Sequence, residues 1–450
     1  MFSWLKPSLV KKFVLGESET PKETNPRIIA RADHGISRAN ISENALKVLY
    51  RLKKAGYEGY LVGGGVRDLL LGREPKDFDV ATNALPDEVK ALFRNCRLIG
   101  RRFRLAHVHF GREIIEVATF RGHHDGGDEA GRTENGMIVR DNVYGSLEED
   151  AWRRDFTVNA LYYNISDFSV VDYTRGMEDL EAGRLRMIGD PRQRYREDPV
   201  RMLRAVRFAA KLGFRNDEAS EAALFELGHL LEEVVPARLF DEILKLFMGG
   251  YAVETFELLR HYRLFGYLFP ETDELLHFED GGFPLTFIVR ALENTDARIR
   301  EEKPVTPAFL FAALLWEPGR RQAALLAEAG ASPIQAIQMA GDEVVARQVG
   351  HVAFPKRFSL QAREIWTLQE RLARINGKRP LRLLEHPRFR AAYDFLLLRA
   401  ENDDSLAELA EWWTRFQESD ESARQKMCEA RPASGKRRRR RRRPNKKGET

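Results

Sequence analysis

The sequence predicts an α+β protein in which a small mixed-sheet domain precedes an all-helical remainder. Extended patterns are confined to the first part of the chain, where residues 105–110 and 114–119 have the alternation and spacing of an antiparallel hairpin. Beyond residue 190 these patterns stop, and residues 217–420 follow the helical spacing of apolar side chains. The 450 residues leave room for about two to four domains, each with its own core.

The composition favours a cytoplasmic protein. The two cysteines, Cys96 and Cys428, lie far apart in sequence, so neither a disulfide framework nor a CxxC metal site is expected. No run of about 18 uncharged apolar residues is present, and no transmembrane helix is expected. Lysines and a proline interrupt the apolar N-terminal segment, a pattern that does not favour a signal peptide.

Positive charge is concentrated at the C-terminus. The net charge is +5, yet residues 436–447 alone contain ten lysines and arginines and no acid, so the rest of the chain carries about −5. A block of like charges cannot form a core, and it attracts polyanions through counterion release. We therefore expect a disordered tail that contacts RNA or DNA, with a purely solubilising tail as the alternative.

The first elements can be assigned in order along the chain. Residues 1–40 are expected to end in a polar, proline-bearing linker. Residues 42–52 carry apolar side chains at helical spacing, and Ser42 is a suitable N-cap. Residues 60–62 are a short apolar run typical of a strand, and three glycines separate them from a helix expected at 66–71.

An acidic pair follows this glycine turn. Residues 77–80 are expected to form a strand, and side chains two positions apart in a strand share a face, so Asp77 and Asp79 would project together. Adjacent carboxylates repel unless a cation lies between them, and Mg²⁺ prefers oxygen ligands. The glycines at 63–65 allow backbone N–H groups to approach an anion. The combination predicts phosphoryl or nucleotidyl transfer, although each feature alone is more often a plain turn or a solvated acid pair.

The hairpin contains further polar side chains. Glu116 lies in the middle of its second strand, where it is either on the solvent face or a third acid beside the pair. His107 and His109 share one face of the first strand, but a zinc site is not expected without a third ligand. A helix is expected at 86–93, with Pro86 near its first turn.

The next segments are expected to alternate between loop, helix and strand. Residues 121–145 are polar and glycine-rich, which predicts a long loop. Residues 147–161 are expected to form one helix with Ser146 as its cap. A strand is expected at 170–173, and a helix at 198–212.

The helix at 198–212 has arginines at positions 201, 204 and 207, which are either salt-bridged surface or a contact face for phosphate and base. Glu197 and Arg201 have the spacing of an i,i+4 ion pair. Residues 356–399 interleave basic and aromatic side chains. Such a segment either grips RNA by charge and stacking or is a core with a charged exterior.

Five motifs together resemble the tRNA nucleotidyltransferase/poly(A) polymerase family, in its bacterial branch. They are LVGGGVRDLLLG, DFDVAT, EVATFR, RRDFTVNALYYN and YREDPVRMLRAVRFAAKLGF, which span roughly residues 60–214. The resemblance implies a polymerase-beta-like nucleotidyltransferase head at 41–175, a helical neck for base recognition at 176–270, a helical body with an RNA-binding C-terminal domain at 271–430, and a tail at 431–450.

The resemblance also implies roles for particular residues. Gly63 and Gly64 match the glycines that hold the incoming triphosphate, and Arg67 matches a neighbouring arginine. Asp77 and Asp79 match the metal-binding carboxylates. With Mg²⁺ bound, or Mn²⁺ as the alternative, the pair would activate the RNA 3′-hydroxyl and neutralise the leaving pyrophosphate.

Later motifs supply nucleotide contacts. Arg154 and Asp155 match a motif of the active site that contacts the nucleotide. Glu197, Asp198 and Arg201 match the element that reads the base edge without a template; Asp198 and Arg201, three residues apart on a helix, could offer an acceptor and a donor.

The third acid of the site has two candidates. The family pattern favours Asp155, which we adopt as the expectation. The strand position of Glu116 also suits a metal ligand, and it is kept as the second candidate.

The family comprises CCA-adding enzymes and poly(A) polymerases, and two features favour the second activity. The stretch LIGRRFRLAHV at 98–108 is typical of that branch and carries the candidate RNA-binding residues Arg101, Arg102 and Arg104. The arginine-rich tail is also typical of it and adds Arg437, Arg438, Arg439 and Arg440.

The leading expectation is therefore template-independent addition of AMP from ATP to RNA 3′ ends, with mRNA, small RNA and tRNA as acceptors and a role in RNA turnover. We expect a monomer. CCA addition to tRNA is the alternative activity, and a non-catalytic RNA-binding protein that retains the fold is the alternative class.

Overall fold

The protein, seen here in a computed structural model, is described for residues 25–100, 104–122, 143–276, 287–401 and 403–429, with the backbone of 133–134 and 137–138. The chain divides into two compact units. One comprises Met1–Arg201 with Leu212–Ala223, and the other comprises Met202–Lys211 with Leu224–Thr450.

An eight-stranded mixed sheet forms the centre of the first unit. The described residues form twelve strands, eight of which belong to this sheet: β1 (Arg27–Ile29), β2 (Gly59–Val62), β3 (Asp79–Thr82), β4 (Cys96–Ile99), β5 (Leu105–Phe110), β6 (Glu113–Thr119), β7 (Thr133–Glu134), β8 (Met137–Ile138), β9 (Leu161–Asn164), β10 (Val170–Asp172), β11 (Arg184–Leu185) and β12 (Arg215–Asn216). The sheet has the order β1-β10-β9-β2-β3-β6-β5-β4. Its neighbours are antiparallel except β3 and β6, which run parallel. The short strands pair separately, β7 with β8 and β11 with β12.

Short helices flank this sheet in the sequence. They are α1 (Glu43–Lys54), α2 (Gly64–Leu70), α3 (Pro86–Leu92), α4 (Leu147–Trp152), α5 (Gly176–Glu181) and α6 (Pro191–Glu197), followed by α7 (Val200–Leu212) and α8 (Glu218–Leu227). The Ser42 hydroxyl accepts hydrogen bonds from the N–H groups of Asn44 (3.1 Å) and Ala45 (3.4 Å), which confirms the predicted cap of α1. The predicted cap of α4 is also confirmed, because Ser146 Oγ accepts from the N–H of Glu149 at 3.2 Å.

The predicted hairpin is confirmed as β5 and β6. Along β6, Ile115 and Val117 are buried whereas Ile114 and Glu116 are exposed, the alternation of a strand with one face in the core. Val62, Ala81 and Tyr162, from β2, β3 and β9, form a buried cluster with Phe120, Ala151 and Val171.

The second unit is helical throughout its described part after α8, which agrees with the predicted α+β class. Its helices are α9 (Pro236–Phe247), α10 (Ala252–His261), α11 (Phe265–Leu268), α12 (Pro270–Leu276), α13 (Phe287–Arg300), α14 (Pro307–Leu314), α15 (Trp316–Glu328), α16 (Pro333–Gln348), α17 (Lys356–Leu372), α18 (Arg379–Leu384), α19 (Phe389–Ala400), α20 (Ala407–Glu418) and α21 (Glu421–Glu429). None of the described helices is long and apolar enough to cross a membrane.

The aromatic side chains of residues 356–399 belong to the core of this unit. Trp366 is fully buried and donates a hydrogen bond from Nε1 to the carbonyl oxygen of Ala312 at 3.0 Å. Phe389 and Tyr393 are also buried, at 6% and 4% exposure. Stacking of RNA bases on these rings, one of the two predicted alternatives, is therefore wrong, and the segment is a core with a charged exterior.

Several sequence-based expectations differ from the structure. The single helix expected at 147–161 ends at Trp152, and the chain then turns into β9. Arg194 Nη2 donates to the carbonyl oxygens of Arg153 (2.7 Å) and Arg154 (2.8 Å), so these groups have partners without a further helical turn. Pairing of β9 with β2, about a hundred residues away in sequence, overrides the local helical pattern. Strands β1 and β4 were also not expected.

Candidate active site

The glycine turn lies directly after β2. Gly63 has φ 74° and ψ −140°, a backbone conformation that residues other than glycine rarely adopt. A Cβ atom at this position would lie 3.7 Å from Arg154 Nη1 and 3.8 Å from Asp79 Oδ2. Gly63 therefore permits the turn and leaves open the space between a guanidinium and a carboxylate.

The two acids of the DFD motif are placed differently from each other. Asp79 is the first residue of β3, whereas Asp77 precedes the strand and is exposed. The expectation that residues 77–80 all form a strand is wrong, and the shared face of two strand residues does not explain their proximity. Between them, Phe78 is buried at 8% exposure and anchors the loop. The backbone also approaches α2 closely, because a Cβ at Gly65 would lie 3.2 Å from the carbonyl oxygen of Asp77.

Glu116 is the cross-strand neighbour of Asp79. The parallel register of β3 and β6 places the two residues opposite each other. Burial and the charges of Glu116 and Asp77 raise the pKa of Asp79 from its usual 3.8 to about 6, against the opposing effect of Arg154. On the other side, Glu116 Oε1 lies 3.3 Å from His107 Nε2. Two further carboxylates thus act on Asp79 at this end of the sheet.

The carboxylates fit a hard divalent cation chemically. All of their donor atoms are oxygens, and a cation would offset the burial and the carboxylate repulsion that together raise the pKa of Asp79. Within the described ranges, however, no three His, Cys, Asp or Glu side chains are grouped closely enough to form a metal site. Asp77, Asp79 and Glu116 are the residues that could hold the ion after their side chains reorient.

Arg154 is held by a buried hydrogen-bonded network. Its Nη2 donates to Asp150 Oδ2 at 2.9 Å, and its Nε donates to the Tyr162 hydroxyl at 2.8 Å. The Tyr162 hydroxyl in turn donates to Asp150 Oδ2 at 2.7 Å. Burial alone would raise the pKa of Asp150, but Arg154, Tyr162 and the backbone N–H of Arg121 outweigh it, and the pKa is lowered. Asp150 is therefore an ionised partner that holds Arg154 in place.

Asp155, the favoured third acid, lies against a 3₁₀ turn at Thr157–Asn159. Its Oδ1 accepts hydrogen bonds from the N–H of Phe156 at 2.8 Å and from Asn159 Nδ2 at 3.5 Å. Asp155 is thus arranged to support the turn, whereas Glu116 is the acid opposite Asp79. The choice between them as the third acid stays a prediction.

Arg67 is almost completely buried, at 2% exposure. Its Nε and Nη2 donate to Asp68 Oδ1 at 2.8 and 2.7 Å, and its Nη1 donates to Asn159 Oδ1 at 2.6 Å. The position of Gly64 is close to this guanidinium, since a Cβ there would lie 3.3 Å from Arg67 Nη2. Arg67 therefore ties the glycine turn to the 3₁₀ turn.

The element predicted to read the base is interrupted at its centre. Glu197 ends α6, Asp198 lies between the helices, and Arg201 lies in the first turn of α7. The expectation that Asp198 and Arg201 share a helix is therefore wrong, because α6 ends at Glu197 and α7 begins only at Val200, after Pro199. The Asp198 carboxylate instead accepts from the N–H of Val200 at 3.3 Å.

The predicted Glu197–Arg201 ion pair is confirmed at 3.0 Å. Arg194 shares the same carboxylate oxygen, also at 3.0 Å. Arg201 Nη1 further donates to the carbonyl oxygen of Arg194 at 2.8 Å. This cluster fixes the two guanidinium groups beside the break between α6 and α7.

The predicted RNA contacts fall mostly outside the described residues. Arg101, Arg102 and the tail residues Arg437–440 are among them. Arg104 is described, and its two guanidinium nitrogens donate to the carboxylate of Asp87 at 3.0 and 3.2 Å.

Asp150, Tyr162 and Asn159 were not recognised from the sequence. The spacing of Asp150 and Arg154 on an expected helix was the available signal, since i and i+4 side chains face each other. No local pattern connects Tyr162 to either residue, because their contact depends on the position of β9 in the sheet.

Known families match the chain in three places. Residues 59–186 match the poly A polymerase head domain, residues 213–276 match the probable RNA and SrmB-binding site of polymerase A, and residues 329–447 match the polymerase A arginine-rich C-terminus. Poly(A) polymerase I of Salmonella typhimurium is 55% identical over 399 residues, which cover 87% of this chain and 86% of that protein. The chain belongs to the bacterial poly(A) polymerase family. It is thus a polynucleotide adenylyltransferase by class.

CCA-adding enzymes are more distant relatives of this poly(A) polymerase family member. The enzyme of Lactobacillus helveticus is 39% identical over 214 residues, which cover 48% of this chain and 52% of that protein. The crystal structure of the Bacillus stearothermophilus CCA-adding enzyme in complex with CTP is 28% identical, with a TM-score of 0.54 over 82% of this chain and 80% of that one. The similarity supports the mixed-sheet head followed by helices.

Proposed function

We propose that this protein transfers AMP from ATP to the 3′-hydroxyl of RNA without a template and releases pyrophosphate. The similarity to poly(A) polymerase I over 87% of the chain carries this proposal. The arrangement of Gly63, Asp79 and Arg154 around one open space supports it, because a triphosphate and a reacting α-phosphate require a cation, carboxylates and a guanidinium in one place.

Different residues of the site would bind the triphosphate and the metal ions. Backbone N–H groups after Gly63 and the guanidinium of Arg154 would bind the triphosphate, since both present donors to anionic oxygen. Asp77, Asp79 and Glu116 would hold two Mg²⁺ ions, or Mn²⁺ as the alternative. When bound, such ions lower the pKa of the attacking hydroxyl and balance the charge of the leaving pyrophosphate.

The reaction is an in-line exchange of one phosphorus–oxygen bond for another. The 3′-oxygen of RNA bonds to the α-phosphorus, the bond to the β-phosphate oxygen breaks, and the hydroxyl proton passes to solvent. The cluster of Arg194, Glu197 and Arg201 would orient the base through its fixed guanidinium groups, because donors with fixed positions can match a base edge. In the cell this activity would promote RNA turnover.

RNA would be held mainly by charge. Ten basic residues at 436–447 suit a polyanion of any sequence, which matches acceptors that differ in structure, such as mRNA, small RNA and tRNA. We propose that the enzyme acts as a monomer.

An extension assay tests the proposal. The full-length protein is incubated with an unstructured oligoribonucleotide, Mg²⁺ and each nucleoside triphosphate separately. Long products with ATP alone are expected. Short products that require CTP and stop at CCA on a trimmed tRNA would instead establish the CCA-adding alternative.

A second comparison separates catalysis from RNA binding. Replacing Asp77 and Asp79 with alanine should abolish extension and leave the affinity for the oligoribonucleotide unchanged. The matched control is Asp33→Ala, an exposed acid in a 3₁₀ turn, which should retain both. Extension by the double variant at the wild-type rate would favour a site elsewhere.

A further inference from the structure

We propose that Asp150 and Tyr162 are positioning residues that hold the guanidinium of Arg154 toward the triphosphate and away from Asp79. The inference rests on the proposed function, because that function assigns Arg154 to the incoming nucleotide. It adds two residues that lie outside the glycine turn, the acid pair and the Arg-Asp motif.

The network uses one side of the guanidinium and leaves the other side directed at the site. Nε and Nη2 of Arg154 donate to Tyr162 and Asp150, at distances of 2.8 to 3.2 Å. Nη1 lies 3.7 Å from the point where a Cβ of Gly63 would stand. Asp79 Oδ2 lies 3.8 Å from the same point. The remaining nitrogen therefore faces the space between the turn and the acid.

Without its partners, Arg154 would be drawn to Asp79. Opposite charges attract strongly where water is largely excluded, and Asp79 is the carboxylate that borders the same space as Nη1. A guanidinium paired with Asp79 would occupy oxygen atoms needed for a cation and would no longer face the triphosphate. Asp150 prevents this because it is an ionised acid that is itself buried, with a side chain 7% exposed.

Asp150 and Tyr162 are themselves fixed. Asp150 Oδ1 accepts from the backbone N–H of Arg121 at 3.2 Å, and Oδ2 accepts from Tyr162 and Arg154. Tyr162 is fully buried in β9, and burial raises its pKa well above the usual value, so its hydroxyl stays neutral and serves as donor and acceptor at once. The ring of Tyr162 also lies 5.2 Å from the Arg154 guanidinium carbon.

The experiment compares Tyr162→Phe, Asp150→Asn and Arg154→Ala in the full-length protein. The affinity for ATP is measured by the rise in melting temperature that ATP causes, and KM for ATP and kcat are measured by RNA extension. Tyr162→Phe should weaken ATP binding roughly threefold to tenfold, the effect of losing one hydrogen bond of ordinary strength. Asp150→Asn should weaken it at least as much, and both changes should fall mainly on KM.

Combining each change with Arg154→Ala separates positioning from a structural role. If Asp150 and Tyr162 act through Arg154, the double variants should bind ATP as weakly as Arg154→Ala alone. Additive losses would overturn the inference, as would wild-type ATP binding in Tyr162→Phe. Should Asp150→Asn fail to fold, the cycle of Tyr162 with Arg154 still decides the question, since Tyr162→Phe removes only a hydroxyl.

Tyr163→Phe is the matched control. Tyr163 is the next residue of β9, is also fully buried, and its hydroxyl has no hydrogen-bond partner among the described residues. The same chemical change there should leave the affinity for ATP and KM unchanged. Failure of the wild-type protein to extend RNA with ATP would refute the proposed function, whereas normal extension with unaltered Tyr162→Phe and Asp150→Asn variants would refute this inference alone.

Discussion

Replacing Asp79 with asparagine should stabilise the folded protein at pH 8 in the absence of divalent cations. Burial and the charges of Glu116 and Asp77 raise the pKa of Asp79 from 3.8 to about 6. The folded protein therefore holds this carboxylate in its ionised form at a cost. At about 1.36 kcal/mol per pKa unit, the cost is about 3 kcal/mol of the free energy of unfolding.

The sign of the effect depends on pH. A proton binds Asp79 more tightly in the folded than in the unfolded chain, so the contribution to stability is fully present below the unfolded pKa of 3.8 and is lost as the pH rises through about 6. Asparagine cannot ionise, so the Asp79→Asn variant keeps this contribution to stability as the pH rises. The variant should therefore exceed the wild type by about 3 kcal/mol at pH 8 and by roughly half of that at pH 5.

Urea unfolding in EDTA at pH 5 and pH 8 measures both differences. Asp33→Asn, the same change at an exposed position, should give a difference near zero at either pH. Mg²⁺ should then raise the stability of the wild type and leave that of Asp79→Asn nearly unchanged, because ligands stabilise only the state that binds them. If Asp79→Asn is no more stable than the wild type at pH 8, or if the difference does not shrink at pH 5, the electrostatic reasoning is wrong.

Three further changes probe the site and the tail. Gly63→Ala should lower the free energy of unfolding by about 1–3 kcal/mol, because alanine is strained in this backbone conformation. It should also reduce the rate of RNA extension by more than the loss of stability explains. A melting temperature equal to that of the wild type would contradict the strain. Arg67→Ala should cost about 3–5 kcal/mol in urea unfolding, because the buried Asp68 carboxylate loses the two hydrogen bonds from the guanidinium; a small effect would mean that water replaces the guanidinium. Ending the chain after Gly435 should weaken RNA binding and leave the preference for ATP intact. The slope of log K for RNA binding against log salt concentration should become shallower by about 0.7 for each lysine or arginine of the tail that contacts a phosphate. A changed preference in extension assays would argue against a purely electrostatic tail.

Local patterns were sufficient to predict much of the head. The hairpin of β5 and β6, the N-cap at Ser42 and the glycine turn at Gly63 depend on residues close in sequence, and the structure contains all three. The end of α4 could not be predicted from residues close in sequence. The residues that follow Trp152 have a helical pattern, but the pairing of β9 with β2 further along the chain and the hydrogen bonds from Arg194 decide their conformation.

The candidate site shows the same limit. The glycines and the acids at 77 and 79 stand out in the sequence, whereas the burial of Arg67 depends on Asn159, 92 positions away. The opposition of Asp79 and Glu116 follows from the parallel pairing of β3 and β6, which no short motif specifies. Likewise, Tyr162 contacts Arg154 only because β9 lies beside β2.

The strand order has a consequence for synthesis of the protein. β9 pairs with β2 on one side and β10 on the other, so the middle of the sheet is completed by residues made about a hundred positions after β2. Until residue 164 has left the ribosome, one edge of β2 lacks its partner and the candidate site lacks Tyr162. A growing chain that ends before β9 therefore has an incomplete sheet, and fragments of the head that end there should be inactive and prone to aggregate through that open edge.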